Sequence, residues 1–149
     1  MKLKIIIPIV LMGAGFAIWA NFSKVDNSQY VLQPVEAEAS KHQELDKLVR
    51  TTIDLHRKQK IKTLERIFAI TPSARAVIQK QGGSDPFKDS MDILNKHSHA
   101  LNLNNVEYQQ LAQGKNYYRV IAKTADETQV CFSFRKSKSG YKIVSIAEL

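Results

Sequence analysis

The sequence predicts an α+β domain in which N-terminal helices pack on a four-stranded antiparallel meander sheet. Three observations predict it. Apolar residues recur at spacings of three and four between Leu45 and Leu101. Beyond Leu101 the period changes to alternation. The last stretch, Gly114 to Leu149, is then cut by turn residues into short apolar runs. With 149 residues and 44% hydrophobic content, the chain has material for one core once its first forty residues are set aside.

The elements follow in order. Lys2 and Lys4 precede an uncharged apolar run, Ile5 to Ala20, the composition of a secretory signal or a membrane anchor. Residues 1–22 are read as one or the other. Trp19 and Phe22 suit a membrane interface and favour an anchor; Ala20 suits a cleavage site, although Ile18 stands where a small residue is preferred. Lysines held on the cytoplasmic side place everything after residue 22 across the membrane, so the expected location is periplasmic or otherwise extracytoplasmic, with anchoring in the inner membrane in the anchor version. Residues 23–39 contain Pro34, lack periodicity and read as a linker, with room for a short strand at Tyr30 to Leu32. The working domain is residues 40–149.

Ser40 and Gln43 form a capping-box pattern that opens a helix, and Leu45, Leu48, Val49, Thr52, Leu55 and His56 give it one apolar stripe. The basic cluster Arg57, Lys58, Lys60 and Lys62 marks its end or a bend. Ile61, Leu64, Ile67 and Phe68 then resume the stripe as far as Thr71-Pro72. Ser73 to Gln81 reads as a short helix stopped by the hinge Gly82-Gly83. Asp85 caps the next, Pro86 takes its first position, and Phe87, Met91, Leu94 and Ser98 or Leu101 line its buried side. Four strands follow, around Val106–Gln110, Tyr118–Lys123, Val130–Arg135 and Tyr141–Ile146. Apolar residues on both faces of the last strand predict a second, open apolar patch where a partner would bind.

The formal charge is +8, and it is localised: 8 basic against 4 acidic residues in Lys41–Arg66, and 7 against 3 in Gly114–Leu149. In an exported domain this balance points to an acidic partner such as anionic lipid, cell-wall polymer or acidic protein. It does not point to nucleic acid, because the interleaved aromatic and basic residues of a nucleic-acid module are missing. Such a charge run is also the ordinary signature of a solvated helix face. The single cysteine, Cys131, excludes an internal disulfide and reads as a small buried hydrophobe.

Helices followed by a meander that closes on VCFSFRKSKSGYKIVSI resembles the nuclear-transport-factor-2-like (SnoaL-like cone) superfamily, in its small exported or membrane-anchored bacterial branch. The resemblance covers roughly Ser40 to Leu149. It implies a curved, cone-like sheet with helices in its hollow, and a family of enzymes, ligand carriers and secretion-system scaffolds among which fold does not choose function. Family enzymes resembling ketosteroid isomerase keep an ionisable group inside the cone. By position the pocket candidates here are His56, Tyr108 and Tyr118, with Asp54 falling toward solvent.

No glycine-rich phosphate loop, nucleophile elbow or paired cysteines is present. His97 and His99, with Asp89 and Asp92 upstream, lack the three- or four-residue spacing that shared ligation on a helix requires. The sequence therefore reads as a non-enzymatic, cofactor-free protein-binding domain, a scaffold or accessory subunit of an envelope assembly, able to form a homodimer. Its candidate binding face is Arg57, Lys58, Lys60 and Lys62. Two alternatives are an immunity protein neutralising a periplasmic toxin, and a small-ligand carrier or enzyme using a cone pocket.

Overall fold

The computed structural model describes residues 32–34, 39–111 and 116–149. Through them the chain runs β1 (Leu32–Pro34), α1 (Ala39–Arg57), α2 (Ile61–Ile67), α3 (Pro72–Lys80), α4 (Pro86–His97), β2 (Asn102–Leu111), β3 (Tyr117–Lys123), β4 (Gln129–Ser137) and β5 (Gly140–Glu148). The N-terminal signal or anchor, most of the linker and the turn at Gly114 lie outside the described residues.

Two of the helices are terminated by identifiable chemistry. α1 begins at Ala39, so Ser40 falls inside its first turn, and it buries Leu45, Val49, Thr52, Ile53 and His56. Its C-terminus closes with two reversed hydrogen bonds, Gln59 N–H to the His56 carbonyl (2.9 Å) and Lys60 N–H to the Leu55 carbonyl (2.9 Å). This Schellman geometry needs a left-handed residue, and Gln59 supplies it at φ 56°. α3 ends in the same way: Gly82 sits at φ 81°, and Gly83 N–H reaches the Ile78 carbonyl at 3.0 Å. The glycine pair is thus a helix stop, with Gly83 held so close that an added Cβ would lie 2.6 Å from Ile78 Cγ2.

At the start of α4, Asp85 accepts from the backbone N–H of Phe87 (3.0 Å), and Pro86 takes the first helical position. The same carboxylate receives Arg75 from α3 through two hydrogen bonds, Nε to Oδ1 (2.8 Å) and NH2 to Oδ2 (2.7 Å). Arg75 also donates NH1 to Glu65 of α2 (2.7 Å) and lies 4.7 Å over the Phe87 ring. One guanidinium therefore ties three helices together.

β2 to β5 form the expected four-stranded antiparallel meander, and β1 adds a fifth, three-residue strand at the β2 edge, giving the order β1-β2-β3-β4-β5. Pro34 is tolerated there because an edge strand has a side that needs no donor. Bulges interrupt the ladder between Asn102 and Glu107 and between Ser133 and Phe134, and such insertions bend and twist a strand. The helices cover one face. Leu45, Val49, Ile53, Leu64, Phe68, Phe87, Met91 and Leu94 meet Tyr118, Val120, Val130, Phe132, Phe134, Ile143 and Ile146 in a single cluster. Each fully buried Leu, Ile or Phe in it stabilises the fold by roughly 1.5–3 kcal/mol.

The expected open patch on the second face is not found. Ile121, Cys131 and Val144 are 5%, 2% and 5% exposed, and Arg119, Ser133 and Ser145 are buried as well. That face is closed over at these rows for polar and apolar side chains alike. Cys131 is free and buried, as its composition argued, and burial pushes its thiol pKa up, against a smaller opposing pull from Arg119.

The free edge of β5 is partly covered. Phe68 bridges Ile143 in parallel, with Ala69 N–H donating to the Ile143 carbonyl at 2.7 Å. Further along, Ser90 Oγ of α4 accepts from Ile146 N–H (3.0 Å) while donating to the Pro86 carbonyl (2.7 Å).

Candidate functional site

The four basic residues singled out in the sequence share one corner, because the left-handed turn at Gln59 splays the chain between α1 and α2. Arg57, Lys58, Lys60 and Lys62 are all exposed there. Arg57 NH2 donates to the Ser98 carbonyl (2.6 Å), pinning the corner to the end of α4, and Lys58 pairs with Asp54 at 2.9 Å. Among the described residues Lys60 and Lys62 form no ion pair, so the corner presents uncompensated positive charge. Asp54 points to solvent, as its helical position requires.

The three pocket candidates do not converge. His56 is buried at the far end of α1, where Nε2 meets Asn95 Oδ1 at 2.9 Å and Nδ1 has no partner. Tyr108 and Tyr118 lie toward the N-terminal half of α1. Tyr108 donates its hydroxyl to Asp46 Oδ1 and stacks on His42, ring centroids 3.7 Å apart at 12°. Ten residues separate Asp46 from His56, about 15 Å along a helix, so one small substrate cannot touch both groups. Burial, and then the Asp46 carboxylate, raises the Tyr108 pKa well above the usual phenol range.

Tyr118 is buried and packs edge-on against Tyr141, centroids 5.4 Å apart. Burial, followed by Tyr118 and Glu44, pushes the Tyr141 pKa up to about 12. Sequence reasoning missed His42, Asp46 and Tyr141. The legible signal was there for two of them: His42 and Asp46 stand four residues apart and so share a helix face.

His97 turns inward and contacts Glu148 Oε2 at 2.9 Å, beside Lys96 at 2.7 Å, whereas His99 is exposed. Lys96 and then His97 hold the Glu148 carboxyl below its usual range. Among the described residues no group of three or more His, Cys, Asp or Glu is placed to hold a metal ion. An open cleft of about 500 Å³ lies between α4 and β5, and Asp89, Asp92, Glu148, Ser90, Ile93 and Ser145 are among the residues that line it. Among the described residues no helix is long and apolar enough to cross a membrane.

No family model, curated protein or solved structure matches this chain. Function therefore has to be argued from the surfaces themselves. Two are chemically distinctive: the basic corner between α1 and α2, and the aromatic cluster of Tyr108, Tyr118 and Tyr141 beneath α1. The first is exposed and, at Lys60 and Lys62, uncompensated among the described residues. The second is packed, with burial raising the pKa of Tyr108 and Tyr141, and it serves the α1–sheet contact.

Proposed function

We propose that the chain is a non-enzymatic, extracytoplasmic protein-binding domain of the nuclear-transport-factor-2-like type, a scaffold or accessory subunit of an envelope assembly. Its basic corner is the docking site for an acidic partner. The observation that carries this reading is that Lys60 and Lys62, exposed beside Arg57 and Lys58, have no carboxylate partner among the described residues. Such charge adds little to folding, and it speeds and orients encounter with a surface of opposite sign. The separation of His56 from the Tyr108 cluster supports a binding role over a catalytic one, because a reaction site needs convergent groups. The arrangement at α1, a basic helix end fixed to α4 by Arg57, also supplies the rigidity that a docking face requires.

The test uses the full chain as bait in an envelope extract, at low and high salt. An acidic protein should be retained at low salt, released at high salt and lost with K60E/K62E. Recovery of the chain alone, or a partner indifferent to K60E/K62E, would overturn the reading.

A further inference from the structure

The sheet segregates its charge along the strand direction, which neither the net charge nor the charge of any one segment reveals. The strand register places Leu32 opposite Leu111, Tyr117 opposite Arg135, Arg135 opposite Lys142, and Ser137 opposite Gly140. Arg135, Lys136, Lys138 and Lys142 therefore crowd one end of the sheet. Arg66 joins them, since Lys142 Nζ donates to its carbonyl at 2.7 Å.

Lys123 opposite Gln129 and Val130 opposite Glu148 define the other end. There stand Asp126, Glu127 and Glu148, all three of the side-chain carboxylates in the last 36 residues; Lys123 and Lys96 pair with Glu127 and Glu148, so this end is weakly acidic against the strongly basic one. The two ends are about 27 Å apart along β4. A charge dipole of that length orients a domain on a charged surface, with the basic end inward.

The chain entry lies at the same basic end, because Leu32, the first residue of β1, pairs with the last residue of β2. Eleven residues, 21–31, separate Leu32 from the apolar run that ends at Ala20, a reach of at most about 40 Å. If that run is in a bilayer, the basic end is tethered beside it.

We propose that the β4–β5 hairpin end of the sheet docks on anionic lipid headgroups, through Arg66, Arg135, Lys136, Lys138 and Lys142. The tether argument rests on reading the N-terminal segment as membrane-directed; the charge segregation stands without it. Arg66 stands one turn beyond Lys62 on α2, so this surface adjoins the basic corner, while its strand cations Arg135, Lys136, Lys138 and Lys142 are its own.

Position favours lipid over an acidic protein. The chain enters β1 at this same end, and a headgroup layer recruits flexible point charges without stereospecific pairing. Among the described residues none of the five is paired with a carboxylate; Lys136 instead lies 5.5 Å over the Tyr141 ring. Half-buried Tyr117 at this end supplies an amphipathic ring of the kind that suits a membrane interface. Each cation near an anionic surface contributes a factor of about five to binding, and a second attachment of this kind turns a tether into a defined orientation.

The test places a single fluorophore on the full chain, at S139C in the hairpin or at A125C in the opposite turn. Cys131 is only 2% exposed, so it does not compete for label. The protein is mixed with vesicles of phosphatidylcholine alone, or with phosphatidylglycerol added, each carrying headgroup spin labels that quench at short range. Co-sedimentation with the zwitterionic vesicles reports on the N-terminal segment independently.

The expected result is quenching of the S139C label that appears only with anionic lipid, exceeds that at A125C, and falls in high salt. R135E/K138E should weaken it at least about 25-fold with an unchanged unfolding midpoint. Equal quenching at the two sites, no response to anionic lipid, or no binding to either vesicle would overturn the proposal. So would loss of a captured acidic protein in R135E/K138E with lipid quenching intact.

Discussion

Arg75 gives the sharpest quantitative test of the fold, because one side chain holds α2, α3 and α4 in register. In Arg75→Ala, Asp85 loses two charge-assisted hydrogen bonds and Glu65 loses one, and the Phe87 ring loses its overlying cation. The Arg75 and Asp85 side chains are 17% and 10% exposed. The pair therefore lies between a surface ion pair, worth at most about 1 kcal/mol, and a buried one, whose breakage costs about 3–5 kcal/mol. Asp85 keeps its bond to Phe87 N–H, which softens the loss. We expect R75A to cost about 2–3 kcal/mol, lowering the urea midpoint by about 1–2 M at unchanged m.

Arg75→Lys keeps the charge and loses the fork, and should recover less than half of the deficit. A cycle with D85A should show coupling of about 1–2 kcal/mol. The pH dependence has a definite sign. Burial alone would raise the Asp85 pKa, but the Arg75 hydrogen bonds and charge outweigh it and hold the carboxyl below its ordinary 3.8. A depressed folded pKa stabilises fully above that value and loses its effect as pH falls through the folded one. The difference between wild type and R75A should therefore be constant at neutral pH and shrink in acid below 3.8. A cost no larger than that of Lys58→Ala at the exposed Asp54 pair, or additive single changes in the cycle, would refute the clamp.

Four further outcomes are expected. Gln59→Gly should stabilise the protein by about 1 kcal/mol, since a side chain at φ 56° is strained and glycine is not; a thermal melt that moves down would contradict the Schellman reading. Gly83→Ala should destabilise by about 1–3 kcal/mol, because the new methyl meets Ile78 at 2.6 Å, and chemical denaturation measures it. Ser90→Ala leaves the Ile146 amide without its acceptor in a buried setting and should cost about 1–3 kcal/mol, with faster hydrogen exchange confined to that stretch of β5. In an alkaline titration followed by absorbance, Tyr108 and Tyr141 should stay protonated at pH 10 while the protein is folded. Because their folded pKa values lie above the unfolded 10.0, their contribution is complete below that pH and is lost as pH rises beyond it.

The element order was legible because each boundary carries its own chemistry. Asp85-Pro86 announces the start of α4, Gly82-Gly83 the end of α3, and alternation after Leu101 the strands. The β1 strand was harder to place, because three residues around a proline carry no period. The closed second face escaped for a related reason: alternation shows that Ile121 and Cys131 oppose Val120 and Phe132, but it cannot show whether their side is covered. Among site residues, the four cations were visible as a run, and the structure shows why they face outward. The segregated charge of the sheet was hidden, because it depends on register across hairpins, which sets residues 32, 117, 135 and 142 at one level.

The two borders of the sheet are finished differently. Along β5, the Phe68–Ala69 segment takes the Ile143 carbonyl and the Ser90 hydroxyl takes the Ile146 amide, two of the backbone groups that a foreign strand would need. Along β2, the short β1 covers only Gln109 to Leu111, while Asn104, Asn105 and Glu107 remain exposed. Among the described residues the more open border is therefore that of β2, at a stretch of asparagines and a carboxylate that disfavours pairing with a copy of itself. Built this way, the molecule resists stacking into filaments through its own backbone.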